Sequence, residues 1–187
     1  MRDIIVMVGF LWALPLCFSR PFVGLMVWAW FALMNPHREV YGFAYSLQFN
    51  LVIAIVTIVS FITSSEKIQP IKNFTIFTTC IFFAWTVITG FSAIDPLTSW
   101  VFFNQTPSRV YIFMIMVFML VNKEERLIAM IWIIVISIGY YGATIGIVGI
   151  LAGGRNIGTA SAFGPPNTMI TDRNHMVTAI CMIIPLL

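Results

Sequence analysis

The chain has 187 residues, 60% of them hydrophobic, 15% aromatic and 9% charged, with a net charge of +3 and a mean hydropathy of +0.97. A soluble domain carries about 25% charged residues, so this composition excludes a water-soluble, disordered, collagen-like or nucleic-acid-binding chain. It points instead to an all-α integral membrane protein, and the small, dispersed charge marks no acidic partner.

The apolar runs give the expected elements in chain order. The first covers residues 4–18 and stops at Arg20-Pro21; the second covers 22–34 and stops at Asn35-Pro36-His37-Arg38. Runs over 47–62, 74–91, 110–121 and 127–151 follow, and a last one starts near Met176 and is still apolar at Leu187. Crossing the hydrocarbon core takes about 20 residues of helix, and unbroken runs without two-residue alternation exclude a barrel. The predicted fold is a polytopic transmembrane helix bundle of about six to seven spans, cut off within the last one. Residues 1–187 therefore read as the N-terminal transmembrane domain of a longer protein. The first two runs are short, which suggests a tight, tilted hairpin. The N-terminus reads as a retained anchor, since no small-residue cleavage site precedes Arg20. Cys17, Cys80 and Cys181 lie in apolar runs, without metal or disulfide spacing.

Gly139, Gly142, Gly146, Gly149 and Gly153 recur at spacings of three and four. That predicts one small-residue helix face for close packing of a neighbour, with a lipid-tail groove as the alternative. Arg2, Arg38, Arg109, Arg155 and Arg173 fall on one side of the expected spans, and Arg20, Lys67, Lys72, Lys123 and Arg126 on the other, so the raw count ties. The second set is denser in the short loops 64–72 and 122–126, which places those loops in the cytoplasm and the loops 35–46, 92–109 and 153–175 outside.

The outward loops hold the residues able to recognise a polar ligand. Arg38, Arg109, Arg155 and Arg173 offer forked donors suited to phosphate; snorkelling to headgroups or pairing with Glu39 or Asp172 is the alternative. The Gly- and Pro-rich stretch 153–167 reads as a loop. Asp172, Arg173, Asn174 and His175 precede the last run, so they are expected at a helix N-terminus, where free N–H groups favour an anion. His175, and less so His37, has the chemistry of a general base. No metal site, cofactor motif, Ser-His-Asp order or phosphate loop is present in the sequence. With no ionisable residue inside the expected spans, a transporter is disfavoured.

Several segments resemble a known family. Met1-Arg2-Asp3, Trp28-Ala29-Trp30, Met34-Asn35-Pro36-His37-Arg38, Tyr41-Gly42-Phe43-Ala44-Tyr45-Ser46, Phe163-Gly164-Pro165-Pro166, Asp172 with Asn174, and Ile183-Ile184-Pro185-Leu186 are similar to the N-terminal region of O-glycosylation ligases associated with the exosortase A system. These belong to the O-antigen ligase and polymerase superfamily. The resemblance implies a multi-pass glycosyltransferase of the bacterial inner membrane, serving exopolysaccharide-type glycans. Such an enzyme moves a glycan from an undecaprenyl-diphosphate carrier to an acceptor on the periplasmic side. It implies diphosphate-binding roles for Arg38 and Arg155 and places the superfamily's catalytic His beyond Leu187, so that residues 1–187 alone lack full activity. Asp172-Arg173-Asn174 departs from the Asp-Asn-Asn of relatives. A non-catalytic membrane subunit or a transporter component is the alternative reading.

Overall fold

A computed structural model describes residues 2–38, 42–64, 74–105, 107–151, 153, 164, 170 and 172–186, without the side chains of Arg2, Arg38, Phe43 and Arg173. Among the described residues every regular element is helical: α1 (Arg2–Ser19), α2 (Pro21–Met34), α3 (Phe49–Thr63), α4 (Phe74–Phe91), α5 (Pro96–Gln105), α6 (Pro107–Leu120), α7 (Glu124–Leu151) and α8 (Arg173–Ile183). Short 3-10 turns cover Pro36–Arg38, Phe43–Ser46 and Ile184–Leu186. The chain divides into two compact units, one of Met1–Ser64 with Glu125–Leu187 and one of Ser65–Glu124.

In the first unit α1 and α2 form the expected hairpin, joined by Arg20 alone. Pro21 forces the residue before it out of the helical region, and Arg20 is extended at φ −139° and ψ 106°. α2 ends at Asn35, which is left-handed at φ 49° while its N–H still reaches the Phe31 carbonyl at 3.0 Å. Asn tolerates that conformation, and Pro36 cannot continue the helix.

α3 returns beside both helices. Gly24 of α2 faces Thr57, so closely that a Cβ there would lie 2.5 Å from the Thr57 Oγ1. The Ser60 hydroxyl donates to the Phe18 carbonyl at 2.7 Å, satisfying one of the acceptors a helix end leaves without an intrahelical donor. Phe10, Phe31 and Phe49 close the other end with centroids 4.5 to 6.1 Å apart; each such pair contributes about 0.5–1.5 kcal/mol beyond area burial.

α7 runs parallel to α2. The Arg126 guanidinium lies 4.9 Å over the Phe22 ring near the start of both helices, and the Tyr141 hydroxyl donates to the Met34 carbonyl at the end of α2. α8 packs antiparallel on α7, with Val135, Ile138 and Tyr141 against Met176, Ala179 and Ile183. Gly139 and Gly142 face Ile183 and Ile180 there, as the small-residue face requires, whereas nothing lies within 4 Å of the Cβ position of Gly146. Gly149 is buried. Gly153 departs from the expected face: α7 ends at Leu151, and Gly153 is a left-handed residue (φ 62°) just past it.

The second unit corrects the expectation of a loop over 92–109. Only residues 92–95 form the turn, and α5 follows. Asp95 starts it: its carboxylate accepts from the Thr98 N–H at 3.3 Å and the Thr98 hydroxyl at 2.6 Å, with Pro96 at the first helical position. α6 begins at Pro107, three residues before the expected Val110, and contains Arg109. The Ser108 hydroxyl donates to the Asn104 carbonyl at 3.1 Å, linking α6 to α5. α4 packs along both through Phe91–Trp100, Phe83–Phe103 and Phe83–Tyr111 ring contacts of 4.7 to 5.9 Å.

Candidate functional site

The Asn-Pro-His-Arg segment forms a compact corner between α2 and α3. His37 is 3% exposed, with its ring 5.1 Å from Phe49 and stacked at 6.4 Å on Phe31. Enclosed in this way among the described residues, the imidazole is part of the core, which argues against His37 as a general base. Beside the corner, Gly42 abuts the Asp3 carboxylate, with Asp3 Oδ1 2.5 Å from where a Cβ would stand.

The second expected cluster is at the start of α8. Asp172 is the N-cap and its carboxylate accepts the Asn174 N–H at 3.1 Å, so the helix N-terminus forms where the sequence places it. The same bond puts a carboxylate where an anionic ligand would approach, so an anion would have to displace it. Asn174 and His175 are exposed. Gly164, from the Phe-Gly-Pro-Pro segment, is buried against the Ile170 carbonyl so tightly that a Cβ would overlap it.

Tyr141 connects the two clusters. Its hydroxyl holds Met34, the residue before Asn35, and its ring packs in the cluster containing Met176, the residue after His175. The corner 35–38 and the start of α8 therefore share one end of the first unit. Arg155 lies outside the described residues, as do the side chains of Arg38 and Arg173. Among the described residues there is no group of three or more His, Cys, Asp or Glu able to hold a metal ion.

Sequence reasoning passed over a cleft of about 210 Å³ in the second unit, between the C-terminal half of α4 and α5. Thr86, Thr89 and Gly90 form one wall, Ser99, Trp100 and Phe103 the other. The Asp95-Pro96 pair was the available signal, since it marks a helix start that brings Ser99 and Trp100 against α4. Between α4 and α6 a wider groove of about 420 Å³ is bounded by Thr78, Phe82, Val110 and Met114, among others.

Two helices among those described, α4 and α7, are long and apolar enough to cross a membrane. Comparison with curated proteins and with solved structures finds no match. A family described as of unknown function, DUF5935, matches residues 1–187, and the chain belongs to it.

Proposed function

We propose that this chain is the N-terminal, multi-pass inner-membrane domain of an O-antigen-ligase-like glycosyltransferase, which moves a glycan from undecaprenyl diphosphate to an acceptor on the periplasmic side. The membrane setting is supported by α4, an apolar helix with none of its 18 residues buried. That pattern is the reverse of a soluble core helix and suits acyl chains as solvent. The observation that carries the site is the shared attachment of the Asn35–His37 corner and the Asp172–His175 helix start to Tyr141. Two of the resembling segments thereby share one end of a unit, and in this reading Arg38, Arg173 and, by resemblance, Arg155 hold diphosphate while His175 serves as the exposed base.

The test is glycan transfer from a lipid-diphosphate-linked donor in membranes bearing the full-length protein, with Arg38→Ala and Arg155→Ala at matched protein levels. Transfer lost at normal abundance supports the reading; unchanged transfer, or loss of the protein itself, overturns the assigned roles.

A further inference from the structure

The cleft between α4 and α5 is lined by hydroxyls, the end of a helix and aromatic rings. The Thr86 and Thr89 hydroxyls donate to carbonyls of their own helix, Phe82 at 2.8 Å and Trp85 at 3.0 Å, and Thr86 Oγ1 also lies 3.2 Å from the Tyr111 hydroxyl. What these side chains offer the cleft is lone pairs. Gly90 lies in the last turn of α4, where unpaired carbonyls form the negative end of the helix dipole. Trp100 and Phe103 add π systems, joined edge to face at 5.5 Å, and aromatic faces attract cations. Among the described residues no Lys, Arg, Asp or Glu lines the cleft, and Asp95 lies one helical turn before Ser99.

Lone pairs, carbonyl ends and aromatic faces favour a ligand that brings donors and positive charge, such as a primary ammonium with its three donors and no acceptor; the Ser99 hydroxyl and the Trp100 indole N–H are donors in the same wall. The volume of about 210 Å³ is below the range of about 300–1,000 Å³ typical of drug-sized ligands, which suits a small headgroup. The cleft opens beside the turn that ends α4, the level at which headgroups meet a spanning helix, and the groove of Phe82, Val110 and Met114 lies deeper, along α4 and α6, at a depth that suits an acyl chain.

We propose that the α4–α5 cleft binds the primary ammonium headgroup of a phospholipid of the phosphatidylethanolamine class, with an acyl chain along the α4–α6 groove. This rests on the membrane setting proposed above, though on no part of the transferase reading.

The experiment reconstitutes the whole chain into nanodiscs of phosphatidylglycerol doped in turn with phosphatidylethanolamine, its N-methyl and N,N-dimethyl forms, phosphatidylcholine, or a glucosyl diacylglycerol. Retained lipid is counted by native mass spectrometry. Phosphatidylethanolamine is expected to be retained about tenfold better than phosphatidylcholine, the worth of one charge-assisted hydrogen bond, with retention falling at each added methyl. Thr89→Val and Ser99→Ala, mild changes in the cleft wall, flatten that series, and Trp100→Leu weakens every ammonium lipid. Equal retention of all headgroups, preference for the glucosyl lipid, binding of free ethanolamine alone, or a series unmoved by Thr89→Val overturns the proposal. Extraction of the protein from native membranes by alkaline carbonate would instead overturn the membrane setting, so the two failures are distinguishable.

Discussion

The Tyr141 hydroxyl donates to the Met34 carbonyl oxygen at 2.6 Å, across 107 residues of sequence. Met34 closes α2, so its carbonyl has no intrahelical donor, and Tyr141 supplies one from the middle of α7. Tyr141→Phe keeps the ring and deletes the donor. It is expected to destabilise the first unit by about 1 kcal/mol, seen as a lower Tm in detergent. Tyr140→Phe, an exposed neighbour, leaves Tm unchanged; equal effects of the two would show that the hydroxyl contributes nothing.

Gly24 allows α2 to approach α3 at Thr57, which is fully buried and bonded to the Ile53 carbonyl at 2.7 Å. A methyl group there meets Thr57 Oγ1 at 2.5 Å and its Cβ and Cγ2 at 3.1 Å. Gly24→Ala is therefore expected to cost about 1–3 kcal/mol through forced separation of the helices. Thr57→Ala in the same chain recovers part of the loss, because it removes two of the three opposing atoms. Additive effects in a double-mutant cycle would argue against direct contact.

Much of this arrangement is legible in the apolar runs. α4 covers the run 74–91 without change, and Arg20-Pro21 and Asn35-Pro36 end helices as their backbone preferences require. α5 is less visible, because Pro96 and Pro107 read as breakers when each in fact starts a helix. The glycine spacing continues past the end of α7, so periodicity alone could not exclude Gly153. The position of His37 was hidden for a different reason: a polar residue in a turn reads as solvated, and the rings that enclose it come from α2 and α3 and meet only in the folded chain.

The burial of His37 separates a packing role from a chemical one. His37→Ala removes a ring held between Phe31 and Phe49 and is expected to cost about 2–4 kcal/mol, toward the low end of large-to-small changes in a core. His175→Ala, at an exposed position, leaves Tm unchanged and lowers only glycan transfer. Thermal unfolding of both variants beside the transfer assay checks this. A stable His37→Ala protein without activity would return His37 to the candidate site.

Asp95 gives the second unit a dependence on pH. The Thr98 hydroxyl, and after it the Thr98 N–H, donate to the Asp95 carboxylate and hold its pKa below the ordinary value. A carboxyl whose pKa is lower in the folded than in the unfolded chain stabilises the fold when ionised. Its contribution is complete above the unfolded value of about 3.9 and fades as pH falls through the lower, folded value. At neutral pH, Asp95→Asn is expected to lower the hydrogen-exchange protection of the Thr98 amide at the start of α5, and Thr98→Val to raise the Asp95 pKa toward its ordinary value. On acidification below roughly pH 4 the protection of the wild-type chain falls toward that of Asp95→Asn, because a protonated carboxyl is a weak cap. Protection factors that differ between the two chains by the same amount at neutral and acid pH would mean that the charge of Asp95 has no part in holding α5.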